Sequence, residues 1–343
     1  MKRFPKLLLA TSALGATAFS AHADVNVIAS IKPVHSLVAA VMQGAGEPAL
    51  IIEGAGSPHT YSLKPSQAAA LQKADLIFWI GDDLEAFLEK PISTIGSGKS
   101  VELIHSHGLE MLGFREGGAF EKHAHDDDHA EEGHDDDHDA EDEDEHEEAG
   151  DHDHEEQHAD SHDDDHHHGE VDMHVWLDPF NAKAMTHEIA EALAEADPDN
   201  AALYEKNAAA LTERLDTLTT GLSAELEPVK DKGFIVFHDA YQYFEHRFGL
   251  SAAGSITVSP DIMPGADRIR EIQARVGELG ATCVFAEPQF EPRLITVATE
   301  GSDARSGVLD PLGADIEAGP DLYFTLIRNM ADSFESCLSG SSQ

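Results

Sequence analysis

The sequence predicts an α/β protein with two similar lobes, each built on a parallel sheet, joined by one long rigid helix. Short strands alternate with helices from residue 25 to residue 112, and the alternation returns after residue 228. The clearest strands are continuous apolar runs, which is typical of parallel strands buried on both faces. Between the two stretches lies a leucine-rich helical pattern. A length of 343 residues also suits two domains of about 150 residues each.

In the first lobe, the apolar run Leu-Ile-Phe-Trp-Ile at 76–80 is the strongest strand signal. The predicted strands are 25–30, 48–52 and 76–80, and the predicted helices are 33–41 and 65–73. Residues 115–170 follow with almost no apolar side chains, so they cannot bury enough surface to offset the entropy of ordering. We therefore predict a disordered loop there, rich in His, Asp and Glu.

The joining helix is predicted from Asp197, which can cap it, and Pro198, which suits the first helical position. Leucines then keep one face apolar as far as Pro228. About 28 residues would extend about 42 Å, the size of a domain, so this helix could fix the separation of the two lobes. In the second lobe the predicted strands are 234–237, 255–258 and 283–286, and the predicted helices are 240–248, 266–279, 293–300 and 323–338.

The predicted division of the chain begins with an export signal. Basic residues at 2, 3 and 6 precede an apolar run at 7–19, and Ala-His-Ala at 21–23 has the form that signal peptidase cleaves. The apolar run is too short to span a bilayer, and no cysteine follows it for lipid attachment. We expect a soluble, unanchored periplasmic protein. The predicted segments are a signal peptide at 1–23, an N-terminal lobe at 24–114 and 171–196, the loop at 115–170, the linking helix at 197–228 and a C-terminal lobe at 229–343.

The only cysteines are Cys283 and Cys337. In an oxidising compartment we expect a disulfide between them, with two free thiols or a metal pair as the alternatives.

The charge is extreme but local. The formal net charge is −44, and residues 121–170 alone hold 26 acidic residues, one lysine and 13 of the 22 histidines. A chain this negative would repel phosphate backbones, so nucleic-acid binding is excluded. The pattern His-Asp-Asp-Asp-His occurs three times in this segment, and we predict that it binds metal through many weak sites. The candidate ligands are His123, His125, His129, His134, His138, His146, His152, His154, His158, His162, His166, His167 and His168.

Four further residues lie in loops after or between predicted strands: His59, His174, His238 and Asp310. Open α/β sheets bind ligands at the carboxyl ends of their strands, so two residues from each lobe could converge on the cleft between the lobes. Three imidazoles and one carboxylate suit a tetrahedral zinc site.

Four segments around these residues resemble the zinc-specific periplasmic solute-binding proteins of ABC transporters, the ZnuA family. They are residues 58–66, 172–179, 237–241 and 287–290, and the resemblance extends from 25 to 338. It implies two α/β lobes, one rigid helix, and Zn²⁺ held in the cleft by His59, His174 and His238. Some members add the aspartate that matches Asp310, and others add water or a glutamate before the first histidine. Because Pro58 stands at that last position, we predict Asp310 as the fourth ligand, with water as the alternative.

The resemblance also helps to identify the metal. Related manganese carriers have a glutamate where His238 stands, and a second carboxylate would favour manganese. Glu287 is a candidate acceptor for the other ring nitrogen of a ligand histidine.

The predicted function is that of a zinc carrier, which binds Zn²⁺ as cargo and delivers it to an inner-membrane ABC permease. Periplasmic zinc chaperones are a second candidate class of partner, and we expect a monomer. The alternatives are a carrier of manganese or another divalent metal, and a periplasmic zinc buffer. A zinc hydrolase is disfavoured because the nearest approach to His-Glu-x-x-His, at 187–191, ends in glutamate. We therefore predict that the protein is not an enzyme.

Overall fold

The computed structural model describes residues 25–115, 120, 171–257, 265–278, 283–290 and 293–340. The predicted signal peptide and the 13 histidines of residues 121–170 lie outside the described residues.

The first lobe contains a four-stranded parallel sheet with helices between its strands. Its strands are β1 (Val27–Ala29), β2 (Ala49–Leu50), β3 (Leu76–Trp79) and β4 (Lys99–Glu102), in the order β2-β1-β3-β4. Its helices are α1 (Lys32–Val41), α2 (Pro65–Leu71) and α3 (Ala86–Ile95). The register places Val27 beside Leu76 and Leu76 beside Lys99. The strand order reverses between β1 and β3.

Two helices come between the two sheets in the chain, α4 (Pro179–Ala196) and α5 (Ala201–Leu226), and they pack along each other. Asp178 caps α4 by accepting a hydrogen bond from the backbone N–H of Phe180, at 2.8 Å. The predicted long helix is confirmed as α5, but Pro198–Asn200 forms a 3₁₀ turn ahead of it. The buried face of α5 repeats every three or four residues: Tyr204, Ala208, Leu211, Leu215, Leu218, Leu222 and Leu226.

The second lobe repeats the plan of the first. Its strands are β5 (Phe234–His238), β6 (Gly254–Thr257), β7 (Cys283–Ala286) and β8 (Arg305–Val308), in the order β6-β5-β7-β8, all parallel. Its helices are α6 (Gln242–Phe248), α7 (Ala266–Glu278), α8 (Arg293–Ala298) and α9 (Leu322–Ser339). The predicted fold of two parallel-sheet lobes and one long joining helix is therefore confirmed.

One apolar core runs through both lobes. It includes Ile28 and Phe78 from the first sheet, Phe234 and Phe285 from the second, and the leucines of α5. The predicted disulfide between Cys283 and Cys337 is present, with a Cα–Cα distance of 6.1 Å, and it ties β7 to α9. Among the described residues, no helix is both long enough and apolar enough to cross a membrane.

Candidate metal centre

His59 lies in the loop between β2 and α2, and hydrogen bonds from the first turn of α2 hold this loop in place. The Gln67 side-chain amide donates to the carbonyl of Ile51 at 2.6 Å and to the Tyr61 hydroxyl at 2.8 Å. Its oxygen accepts from the backbone N–H of Lys64 at 2.8 Å, which completes the cap of α2. Gln67 therefore holds the loop through residues that precede His59 and residues that follow it.

His174 follows the point where the two ends of the 115–170 segment meet. Gly113 and Val171 form an antiparallel bridge there. The Asp172 carboxylate oxygen Oδ1 lies 2.7 Å from His174 Nδ1 and accepts from the His174 backbone N–H at 3.0 Å. Because Nδ1 faces a carboxylate, the proton of the neutral ring belongs on Nδ1, and Nε2 is left with a free lone pair.

His238 is the last residue of β5, and Glu287 directly follows β7, the neighbouring strand. The distance between His238 Nδ1 and Glu287 Oε1 is 2.6 Å. The strand order of the second sheet reverses between β5 and β7, the location where open α/β sheets hold their ligands. The predicted pairing of Glu287 with a candidate ligand histidine is therefore observed, and it leaves Nε2 of His238 as the available ligand atom.

The three Nε2 atoms converge. His174 Nε2 lies 3.3 Å from His59 Nε2 and 3.4 Å from His238 Nε2, and the candidate ligand atoms of the three residues all lie within 4.8 Å of one another. In a tetrahedral zinc site with Zn–N bonds of about 2.0–2.1 Å, two nitrogen ligands are about 3.3 Å apart. Two of the three separations thus match the spacing of nitrogens around one zinc ion.

The pKa values of two of the three histidines are shifted in opposite directions. Burial lowers the pKa of His59 well below 6.5, and the neighbouring His174 and His238 lower it further, so His59 is neutral at pH 7. Burial also opposes the charged form of His238, but the carboxylates of Glu287, Asp239 and Asp172 together outweigh it and raise the pKa of that ring, with Glu287 contributing most. Binding a cation in place of the ring proton satisfies the same carboxylate.

The comparison with known families agrees with this geometry. The family model of ZnuA, described as the periplasmic component A of a zinc-uptake complex, matches residues 27–337. The chain belongs to the ZnuA family.

Relatives within the ZnuA family match over nearly their whole length. The high-affinity zinc uptake system protein ZnuA of Brucella suis biovar 1 is 58% identical over 342 residues, covering 99% of this chain and 100% of the relative. The protein of the same name from Paracoccus denitrificans is 43% identical, with 97% and 98% covered. A crystal structure of ZnuA with 23% identity has the same fold, with a TM-score of 0.69 over 92% of this chain and 99% of that one. The laminin-binding adhesin of Streptococcus agalactiae, 22% identical, also has a TM-score of 0.69, with 92% and 99% covered.

Asp310, predicted from the ZnuA resemblance as the fourth ligand, is not brought into the cluster. The group of candidate ligands found among the described residues consists of His59, His174 and His238. Asp310 instead accepts hydrogen bonds within its own loop and from a neighbouring side chain. The donors are the backbone N–H groups of Leu312 at 3.1 Å, Gly313 at 2.9 Å and Ala314 at 2.6 Å, and the side chain of Gln289 at 2.9 Å.

The walls of the cavity around the histidines are largely apolar. Trp176, Phe290, Pro311 and Leu312 line it together with Gln289. Apolar walls lower the local dielectric constant and strengthen the attraction between a bound cation and its ligands.

Two residues of the site were not predicted from the sequence. Asp172 could have been found, because a carboxylate two residues before a ligand histidine is within reach of its ring. Gln289 gives no such signal, since its contact with Asp310 depends on the path of two separate loops.

Proposed function

We propose that this ZnuA-family protein binds one Zn²⁺ ion tightly through His59, His174 and His238 and delivers it to an ABC permease for uptake. The convergence of the three histidines, with two of the three Nε2 separations at tetrahedral spacing, supports the proposal most strongly. Two of the rings are oriented by carboxylates that hold the Nδ1 proton, as in many zinc sites. In this proposal the fourth position is left to a small ligand from solution.

The metal preference follows from the ligand set. Three imidazole nitrogens form a borderline-soft site, which suits zinc better than manganese, an ion that prefers oxygen ligands. The cation would be held as cargo, and no catalytic role is proposed for it. The family's place in a periplasmic uptake complex supports delivery to a permease, and export by a cleaved signal peptide belongs to the same proposal.

Zinc titration of the full chain tests the assignment. We expect His59→Ala, His174→Ala and His238→Ala each to lose the tight site, measured by competition with a chelator of known affinity, because a two-histidine site holds zinc far less firmly. His107→Ala is the matched control, since the His107 side chain is fully exposed on the surface. Wild-type affinity in any of the three variants would remove that histidine from the ligand set. Tighter binding of Mn²⁺ than of Zn²⁺ would favour the manganese alternative.

We further propose that the histidines of residues 121–170 bind additional zinc with lower affinity. Their number and the carboxylates beside them support this, since 13 histidines lie in 50 residues. Deletion of residues 117–169 should reduce the stoichiometry to one ion per chain while the tight site remains. An unchanged stoichiometry after the deletion would contradict this part of the proposal.

A further inference from the structure

Gln289 links the Asp310 loop to the cavity that contains the three histidines. Its Nε2 donates to Asp310 Oδ1 at 2.9 Å, and the side chain lines the same cavity as His59, His174 and His238. Its oxygen, Oε1, is buried and has no hydrogen-bond partner within the described part of the chain. A buried acceptor without a donor is costly, so this atom calls for an explanation.

The orientation of the amide is fixed by chemistry. The carboxylate of Asp310 already accepts from the backbone N–H groups of Leu312, Gly313 and Ala314, and a carboxylate only accepts. Turning the amide over would place Oε1 against Asp310 Oδ1, acceptor against acceptor. Asp310 therefore holds the NH₂ group of Gln289 toward itself and leaves Oε1 as the free acceptor of a side chain that lines the cavity.

The histidines do not supply the missing donor. In His174 and His238 the Nδ1 protons are engaged by Asp172 and Glu287, and the Nε2 atoms face one another. A bound zinc ion would bring a hydrogen-bond donor into the cavity. A zinc ion with three protein ligands completes its tetrahedron with water, whose O–H groups are strong donors when bound to a cation.

Water, the alternative to Asp310 that the resemblance already implies, is then the fourth zinc ligand, and we propose that Gln289 Oε1 accepts a hydrogen bond from it. In this arrangement Gln289 is a positioning residue for the water, and Asp310 acts through Gln289 rather than on the metal. The inference depends on the proposed three-histidine site. Asp310, the predicted fourth ligand, then has a different role. This role agrees with the N–H donors that occupy both of its oxygens.

Cobalt(II) in place of zinc makes the fourth position visible, because its d–d absorption reports ligand exchange. One equivalent of Co²⁺ is added to the full chain, and the spectrum of His238→Ala under the same conditions is subtracted to remove cobalt bound elsewhere. Azide, which carries no proton to donate, is then titrated. We expect azide to displace water in the wild type. In Gln289→Leu azide should bind about fivefold more tightly, the factor for losing one neutral hydrogen bond that favoured water.

Two further variants separate a direct role from a general one. Gln273→Leu is the matched control and should bind azide as the wild type does, because Gln273 of α7 donates to the carbonyl of Val297 in α8 and does not line the cavity around the histidines. Asp310→Ala should shift azide binding in the same direction as Gln289→Leu. The double variant should show no additional shift if Asp310 acts through Gln289.

The outcomes are distinct. A cobalt difference spectrum that does not respond to azide in the wild type indicates a closed site with a fourth protein ligand and overturns the inference. Unchanged azide affinity in Gln289→Leu overturns it as well, and so does loss of the cobalt spectrum in that variant, which would make the amide a direct ligand. Absence of any difference between the wild type and His238→Ala would instead refute the three-histidine site itself.

Discussion

At the metal centre two of the three histidines are each paired with one buried carboxylate. Asp172 and Glu287 are almost fully buried, and each lies within 2.7 Å of an imidazole Nδ1. The two pairs are built differently, since Asp172 is local to its histidine, whereas Glu287 reaches His238 from the next strand of the sheet. Both fix which ring nitrogen carries the proton, and so both determine how much lone-pair density Nε2 offers to a cation.

Neutralising either carboxylate should weaken zinc binding without abolishing it. We expect Asp172→Asn and Glu287→Gln each to reduce affinity by about 10- to 100-fold, because the amide still accepts from Nδ1 but no longer raises the basicity of the ring. Chelator competition at pH 7.5 measures the change. Asp216→Asn serves as the control, because the exposed Asp216 carboxylate of α5 pairs with Lys183 of α4 away from the metal centre. A loss of zinc affinity no greater than that of the control would show that the negative charge of these carboxylates does not contribute to zinc binding.

A third buried carboxylate, Glu85, lies in the first lobe at the position where β3 ends. Its Oε2 accepts from the backbone N–H groups of Ile80 at 2.8 Å and Gly81 at 3.1 Å. Burial is the main reason that its pKa is raised to about 7, and the nearby Glu102 adds to the rise. The folded protein therefore favours the protonated form, whereas the unfolded chain ionises near the usual value of 4.5.

This shift predicts a pH-dependent stability. The folded state holds the proton of Glu85 more firmly, so its contribution is greatest below pH 4.5 and is lost as the pH rises to about 7. Glu85→Gln, which is neutral throughout, should gain about 2.5 kcal/mol of unfolding free energy relative to the wild type between pH 5 and pH 8. Urea unfolding of the wild type and the variant at pH 5 and at pH 8 measures this gain in unfolding free energy. Glu89→Gln on the exposed side of α3 should show no such gain.

Six of the eight described strands were predicted from the sequence, and the two that were missed, β4 and β8, are rich in polar residues. The strand β3 is Leu-Ile-Phe-Trp and fully buried, whereas β4 is Lys-Ser-Val-Glu and β8 is Arg-Ser-Gly-Val. Both missed strands lie at the edge of a sheet, where one side is open and polar residues are tolerated. The helix α4 was also missed, because its alanine-rich sequence has little amphipathic contrast.

The position of Asp310 outside the histidine cluster was likewise not predictable from the sequence pattern. The three histidines implied by the resemblance lie together in the structure, and the loop position of Asp310 suited a ligand equally well. Whether such a carboxylate reaches the cleft depends on where the following backbone directs its N–H groups. Here the turn at Gly313, with φ at +72°, brings three of those groups toward Asp310. Neither charge nor spacing in the sequence contains that information.

The disulfide between Cys283 and Cys337 fastens the helix α9 to the strand β7. Phe334 of α9 packs against Phe234 and Phe285 of the sheet, with ring centroids at 5.1 and 5.0 Å, so the bond reinforces an existing contact. The closed loop spans 54 residues. We expect Cys283→Ala/Cys337→Ala to lose about 4 kcal/mol of unfolding free energy, measured in urea. Reductant should destabilise the wild type and leave the double variant unchanged, and a loss below about 1 kcal/mol would contradict the expectation.

At the scale of the whole molecule, the lobes are joined by more than the long helix. The buried ammonium group of Lys32, in the first lobe, donates to the carbonyls of Gly313 at 2.5 Å, Ala314 at 3.0 Å and Ile316 at 2.5 Å in the second. Trp176 donates to the carbonyl of Pro311 at 2.8 Å. The helix α9 packs on both α1 and α5, within one continuous apolar core. A hinge motion that separated the lobes would have to break this core and expose these polar groups.

We therefore predict that zinc enters and leaves the cleft without a large rotation of the lobes. Small-angle X-ray scattering of the full chain, with and without one equivalent of Zn²⁺, should show a change in radius of gyration of less than about 1 Å, as for other preorganised sites. His238→Ala is the matched control, since any compaction that it shares with the wild type arises from zinc bound outside the cleft. A larger decrease in the wild type alone would demonstrate lobe closure. It would also require the contacts of Lys32 with the 313–316 loop to form only when the metal is bound, because a core joined in this way resists continuous bending.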